Sequence, residues 1–325
     1  VRALVTGGFG FIGGHLVEAL LRSGRQVHVV DNLSSNPVPA GQLLDDLGHP
    51  EGLTFDIQDI AYGQHNRRRY DEIYHLASPV GPAGVIPHAG QMVRQIVDDA
   101  YTLIKLAQQN DAVLVDVSTS EVYGGGEGGL CREDMPRKLV AQTTPRLEYA
   151  VAKLAAETAI LNTSGLRAVI VRPFNVAGPR QSSAGGFVVP RFIEQALSGE
   201  ALTVFGDGQQ QRAFTHVREI AEGLVQAAER GQTGTVYNLG NPANRIRVVE
   251  LAVMVMKIVG QGHMHFVDPQ TIFGPRYAEA ADKYPDSSRA LRDLGWQPVA
   301  GVEQVVRDAL RYREVGYAND RAADR

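Results

Sequence analysis

The chain has 325 residues, 44% apolar and 21% charged, the makeup of an ordinary globule large enough for one big domain or a domain with a smaller lobe. A net charge of −4 argues against nucleic acid as the main partner, and no apolar run reaches the length of a membrane span. A single cysteine, Cys131, excludes an internal disulfide and a cysteine metal cage. No His/Asp/Glu group has metal-ligand spacing, and the thiol reads as an incidental loop residue.

Val1–Val5 is a short apolar run, read as a buried first strand. Thr6-Gly7-Gly8-Phe9-Gly10-Phe11-Ile12-Gly13 follows, and then helical spacing predicts a helix over Gly13–Arg22. Strand, glycine turn and helix form the context of a dinucleotide fingerprint. Gly7 permits the tight turn, Gly10 lets backbone approach a pyrophosphate, and Gly13 lets the helix pack on the sheet. The helix start, at Phe11 and Ile12, offers unpaired N–H groups and the positive end of the helix dipole. A second strand, Gln26–Val30, leads to Asp31 and Asn32. An acid about 20 residues past the glycines suits the ribose hydroxyls of a dinucleotide and repels the 2′-phosphate of NADP, so NAD is the expected cofactor.

Further strands are predicted at Gly52–Phe55, Glu72–His75, Val113–Val117 and Ala168–Arg172, with helices at Gln91–Asn110 and Tyr149–Ser164. This alternation predicts an α/β fold with a doubly wound parallel sheet. After Gly178 the chain becomes rich in loops. Helices are expected at Pro190–Ser198, Val217–Arg230, Val248–Val259 and Val302–Val315, with an irregular tail from Asn319. The expected division is a dinucleotide-binding domain over 1–178, to which some later segments return, and a smaller α/β substrate lobe over 179–325. With no signal peptide ahead of the first strand, a cytoplasmic location is expected.

The most informative stretch is Tyr149-Ala-Val-Ala-Lys153. Four residues apart on a helix, the phenol and ammonium share one face. A neighbouring Lys⁺ favours phenolate and draws the Tyr pKa down from about 10, so that it takes a proton from a hydroxyl while hydride leaves the same carbon. Ser118-Thr119-Ser120-Glu121 ends a predicted strand, where doubly wound sheets place their ligands.

Together these pieces resemble the extended short-chain dehydrogenase/reductase family of nucleotide-sugar epimerases, dehydratases and decarboxylases. His75-Leu76-Ala77-Ser78-Pro79, Ser118–Gly124, Arg172-Pro173-Phe174-Asn175 and Gly206-Asp207-Gly208 with Arg212 carry the resemblance through nearly the whole chain. It implies that Asp56 and Ile57 flank an adenine, that Leu76, Ala77 and Ser78 line the cofactor, and that Pro173 lies near the nicotinamide. It makes Tyr149 and Lys153 catalytic and gives Thr119 or Ser120 the task of holding the substrate hydroxyl. It also implies a UDP-sugar gripped by Asn175, Arg191, Arg212 and Arg276, with Val204 and Phe205 at the base and Tyr284 near the sugar. The family usually forms homodimers through two helices, here Gln91–Asn110 and Tyr149–Ser164.

Ser120-Glu121 stands where the related 4,6-dehydratases have Asp-Glu, so dehydration loses its proton donor. The stretch Ser-Thr-Ser-Glu-Val-Tyr-Gly is similar to that of UDP-glucuronate decarboxylases, as are His75–Pro79 and Pro145-Arg146. Two features depart from that subgroup. Lys283 replaces an Arg before Pro285, and Lys lacks the planar fork that clamps a carboxylate. Tyr284 resembles the epimerases. The expected activity is decarboxylation of UDP-glucuronate through a 4-keto intermediate. A UDP-sugar 4-epimerase is the first alternative, and a non-catalytic dinucleotide sensor a more distant one.

Overall fold

Runs of β-branched residues that are apolar on both faces become central parallel strands here. The structure, a computed structural model, describes residues 1–34, 39–63, 68–124, 129–137, 143–274 and 282–323. The first part of the chain gives β1 (Arg2–Thr6), α1 (Phe11–Arg22), β2 (Gln26–Asp31), α2 (Ala40–Asp46), β3 (Leu53–Ile57), β4 (Glu72–His75), α3 (Gly81–Val85), α4 (Met92–Asn110) and β5 (Val113–Val117). There follow β6 (Gly129–Cys131), α5 (Pro145–Leu161), β7 (Ala168–Pro173), β8 (Val176–Ala177), α6 (Val188–Leu197), β9 (Ala201–Phe205), β10 (Gln211–Ala213), β11 (Thr215–His216), α7 (Val217–Arg230) and β12 (Thr235–Leu239). The last elements are β13 (Arg245–Arg247), α8 (Val248–Val259), β14 (His263–Val267), α9 (Gln270–Phe273), β15 (Lys283–Pro285), α10 (Ser288–Leu294) and α11 (Val302–Ala323).

Seven parallel strands form the main sheet in the order β12-β7-β5-β4-β1-β2-β3. The chain builds outward from β1 through β2 to β3, then returns to β4 and builds the other way. The reversal lies between β1 and β4, and a crevice at such a point is where open sheets bind ligands. Helices α1 and α7 contribute Leu16, Leu20, Ile220 and Leu224 to the core on one face. On the opposite face α4 and α5 contribute Ile96, Leu103, Tyr149 and Ala156.

Several boundaries differ from expectation for local reasons. Helix α1 begins at Phe11, before Gly13, because Gly10 already takes the N-cap position. Helix α5 begins at Pro145 rather than Tyr149. The Thr144 hydroxyl accepts the N–H of Leu147 (3.2 Å) and proline fills the first turn, a combination that starts helices. Tyr149 therefore sits inside the helix, and the helix stops at Leu161 instead of Ser164. Helix α11 runs past the expected Val315 as far as Ala323, into the polar tail. Cys131 is no loop thiol, since it ends β6 and is buried beside Val122, Tyr123 and Phe174.

Beyond Gly178 two destinations alternate. Segments α7, β12 and α10 join the sheet core through Leu224, Tyr237, Leu239 and Leu294. Segments α6, β9, α8 and α11 enclose a separate core that includes Phe192, Val204, Leu251 and Val305. A four-stranded sheet of order β13-β10-β15-β6 gathers segments far apart in sequence, with Lys283 opposite Arg212 and Gly129. Among the described residues no helix is long and apolar enough to cross a membrane.

Candidate active site

The glycine turn at the end of β1 is shaped by close backbone packing. Gly7 has φ +72°, and a Cβ there would lie 2.7 Å from the Ala77 nitrogen. A Cβ on Gly13 would lie 2.0 Å from the Gly7 carbonyl oxygen, so α1 approaches the turn as only glycine permits. No side chain caps α1 at Gly10 and its first turn holds no acid, which leaves the helix start available to an anion. At the end of β2, Asp31 accepts the N–H of Phe9 (3.0 Å) and that of Leu33 (2.8 Å). These bonds fix a carboxylate beside the turn, and each oxygen keeps a lone pair for a further donor. The cradle and the fixed acid fit a dinucleotide. Asn32 turns back to accept the N–H of Ser34, Ile57 is exposed on the edge strand, and Asp56 meets the ring of His28 (3.2 Å). Leu76 and Ala77 follow β4 directly, beside Gly7, with Ser78 next to them. Pro173 ends β7.

The ends of β4 and β5 and the second turn of α5 converge on Tyr149. The hydroxyls of Thr119 and Ser78 face its phenol and favour its ionised form. Thr119 also accepts the N–H of Glu121 (3.1 Å), which starts a short 3-10 turn over Ser120–Tyr123 and holds Ser120 buried. Ser118 bonds Glu157 instead, away from the phenol. Lys153 is 1% exposed and donates to the Val117 carbonyl (2.9 Å). His75 is buried, with its Nδ1 on the Thr6 hydroxyl (2.8 Å). Burial, followed by the charge of Lys153, lowers its pKa to about 3.

The electrostatics correct one expectation. Lys153 was expected to acidify the phenol, but the protein's own groups do the reverse. Burial pushes the Tyr149 pKa up, and the charges of Glu121 and Asp116 push it further, against the hydroxyls of Thr119 and Ser78. Burial likewise lowers the Lys153 pKa, opposed by Asp116, Asp99 and Glu157.

Glu121 is the meeting point of two cations from distant elements. Arg146 binds it through Nε (2.7 Å) and Nη2 (3.0 Å), and Lys283 donates to Oε1 (2.7 Å). Burial opposes ionisation of Glu121, yet Lys283 and Arg146 outweigh it and hold the carboxyl well below its usual range. Sequence reading had weighed Lys283 and Arg146 separately. Their convergence on Glu121 depends on β15 pairing with β6, which no local pattern announces.

The remaining predicted substrate residues lie in or near the second lobe. Asn175, at φ 38°, donates to the Ala213 carbonyl (3.3 Å). Arg212 is buried next to Lys283 and donates to Gln211 O (2.8 Å). Arg191 lies over the Phe205 ring (4.4 Å), while Val204 points into the lobe core with no exposed surface. Tyr284 carries the guanidinium of Arg245 over its ring (4.1 Å). Arg276 lies outside the described residues. Among the described residues no His/Cys/Asp/Glu group is arranged to hold a metal ion.

This arrangement of fold and site defines an NAD-linked α/β enzyme. Residues 3–240 match the NAD dependent epimerase/dehydratase family, and the chain belongs to that family. It is 34% identical over 322 residues to UDP-glucuronic acid decarboxylase 1 of Xenopus tropicalis, covering 96% of this chain and 72% of that protein. It is 29% identical over 321 residues to UDP-N-acetyl-alpha-D-glucosaminuronate decarboxylase of Bacillus cytotoxicus, covering 97% and 98%. The fold is similar to the crystal structure of UDP-glucuronic acid 4-epimerase from Bacillus cereus in complex with UDP-glucuronic acid and NAD. The TM-score is 0.84, with 27% identity and coverage of 98% of this chain and 100% of that one.

Proposed function

We propose that the protein is an NAD-dependent decarboxylase of UDP-glucuronate, giving UDP-xylose or its 4-keto form. The observation that carries this reading is the corner where Glu121, Arg146 and Lys283 meet beside Tyr149. The two cations outnumber the one carboxylate of Glu121, so a sugar carboxylate arriving there meets net positive charge, and the similarity to decarboxylases supports the same substrate class.

NAD⁺, when bound, accepts hydride and brings the positive charge of its nicotinamide ring. Gly7, Gly10, Gly13, Phe11 and Ile12 would hold its pyrophosphate, and Asp31 its ribose. Tyr149, in its phenolate form, takes the proton of the sugar 4-hydroxyl, which Thr119 and Ser120 help to orient. The resulting 4-ketone is β to the carboxylate. When CO₂ departs, the electrons of the broken C–C bond pass into an enolate, and Tyr149 and Thr119 donate hydrogen bonds to its oxygen. Glu121, kept ionised by its two cations, orders the sugar, and carbon 5 takes its proton from solvent water; return of the hydride to carbon 4 would then give UDP-xylose, and its retention the 4-keto form. Lys153 holds its ammonium against the end of β5 beside Tyr149. Asn175, Arg191, Arg212 and Phe205 grip the UDP portion, so residues 179–325 act mainly as the nucleotide-sugar lobe.

Incubation with UDP-glucuronate is expected to release CO₂ and yield a nucleotide sugar lighter by one carboxyl group. Formation of UDP-galacturonate alone would establish a 4-epimerase, a reading that Tyr284 and the similarity to the Bacillus cereus epimerase favour. A homodimer is proposed through α4 and α5. Val93 and Tyr101 are exposed there, and Val151, Leu154 and Ala155 share an apolar surface with Tyr101. The proposed location is cytoplasmic.

A further inference from the structure

Asp116 lies on β5 at 1% exposure, and among the described residues neither of its carboxylate oxygens has a hydrogen-bond partner. A buried carboxyl left this way needs a function or an explanation. Its register neighbours are His75 on β4 and Ile170 on β7. Ile170 belongs to the core under α4 and α5, so Asp116 faces those helices. From α5 the charges that reach it are Lys153 and Glu157. Glu157 is already committed to Arg172, which binds it through Nε (2.8 Å) and Nη2.

Asp99 approaches Lys153 from α4 and is also buried. The charges facing it are Asp59 from the loop after β3, Lys153 from α5, and Asp98 on its own helix. His75 is held neutral on the Thr6 hydroxyl and supplies no positive charge. Two buried acids thus depend on one ammonium, which is itself fixed to Val117 at the end of the strand bearing Asp116.

We propose that the buried carboxyls of Asp116 and Asp99 both face Lys153 as its counter-charges, and that the two are positioning residues setting the pH range in which Lys153 stays charged beside Tyr149. Burial raises Asp116 to about 6 and Asp99 to about 7, so each carboxyl titrates near neutrality. Once ionised, both carboxyls favour Lys153 as ammonium, and Asp116 also makes Tyr149 harder to ionise. This inference rests on the Tyr149–Lys153 reading of the site, and its first test needs no turnover.

An infrared difference titration of the full chain follows protonated carboxyl groups directly. A carboxylic C=O band is expected to vanish between about pH 5 and about pH 8, with one part missing in Asp116→Asn and another in Asp99→Asn. A band that survives both substitutions, or no titrating band at all, overturns the pair. In turnover, Asp116→Asn is expected to move both limbs of the kcat–pH profile down by roughly one unit, with KM for the nucleotide sugar within about twofold. Loss of rate with unmoved limbs makes Asp116 merely structural and overturns the proposal. Asp116→Leu gives the same readout if Asp116→Asn does not fold. A chain that shows the band but turns over no UDP-glucuronate refutes the functional reading while leaving the pair intact.

Discussion

Glu121 and Asp116 stand near each other on one short stretch of chain, and their surroundings could hardly differ more. Glu121 is 24% exposed and receives three charge-assisted bonds from Arg146 and Lys283, which keep it ionised. Asp116 is almost wholly buried, receives none, and is pushed toward its neutral form. Burial works against charge at both positions. What separates them is the supply of donors, so the state of a carboxyl on and just past β5 follows from its partners more than from its depth. Tyr149 senses both carboxyls, which makes it the natural probe of the contrast.

The largest expected effect comes from removing that probe. Tyr149→Phe should lower kcat by about a thousandfold or more while NAD still binds, as measured by turnover and by cofactor titration. Near-normal turnover would take the phenol out of the chemistry and leave the two carboxyls with no common target.

Breaking the well-supplied side comes next. Glu121→Gln leaves Lys283, only 2% exposed, without its anion. Activity should fall about a hundredfold, and denaturant unfolding should register a loss of about 2 kcal/mol. The folded-state pKa of Glu121 is depressed, so its contribution is present above the unfolded value and is lost as pH falls through the folded one. The deficit of the variant should therefore shrink in strong acid, and a deficit independent of pH would contradict the ion pairing.

The poorly supplied side predicts the opposite sign. The Asp116 pKa rises from 3.8 to about 6, so the native chain binds this proton more tightly than the unfolded chain. Its penalty is absent at acid pH and complete above about pH 6. Asp116→Asn should be stabilising by on the order of 2 kcal/mol near pH 8 and close to neutral near pH 4. Equal unfolding midpoints at pH 8 would remove the contrast between the two carboxyls. The smallest effect lies further off, at the cofactor's ribose. Asp31→Ser should weaken NAD and relax discrimination against NADP by about tenfold, read as the ratio of their binding constants.

Much of the scaffold was legible because its signals are local. The apolar runs, the glycine turn, Asp31 at a strand end and the Tyr149/Lys153 spacing all lie within short windows, and the parallel sheet follows from their alternation. The start of α5 was also written locally, in Thr144-Pro145, but the catalytic-looking Tyr149 drew the boundary toward itself. What stayed hidden depends on pairing across the chain. Asp116 reads as one polar residue in a strand until its neighbours from α4 and α5 are known. Lys283 reads as a weaker version of an arginine until β15 lies beside β6 and brings it to Glu121. The direction of the Tyr149 shift was missed for the same reason, since spacing along a helix reports nearness to Lys153 but says nothing of desolvation or of Glu121.

The small sheet in which β15 separates β10 from β6 has a consequence for how activity arises during folding. Lys283 comes long after Gly129 in synthesis, so the Glu121 corner closes by long-range contacts, and closing a long loop delays such contacts. A nascent or proteolytically trimmed chain ending near residue 240 would retain the glycine turn and Tyr149 but leave Arg146 as the only one of Glu121's two cations. Cofactor capture is therefore expected to precede catalytic competence as the polypeptide matures.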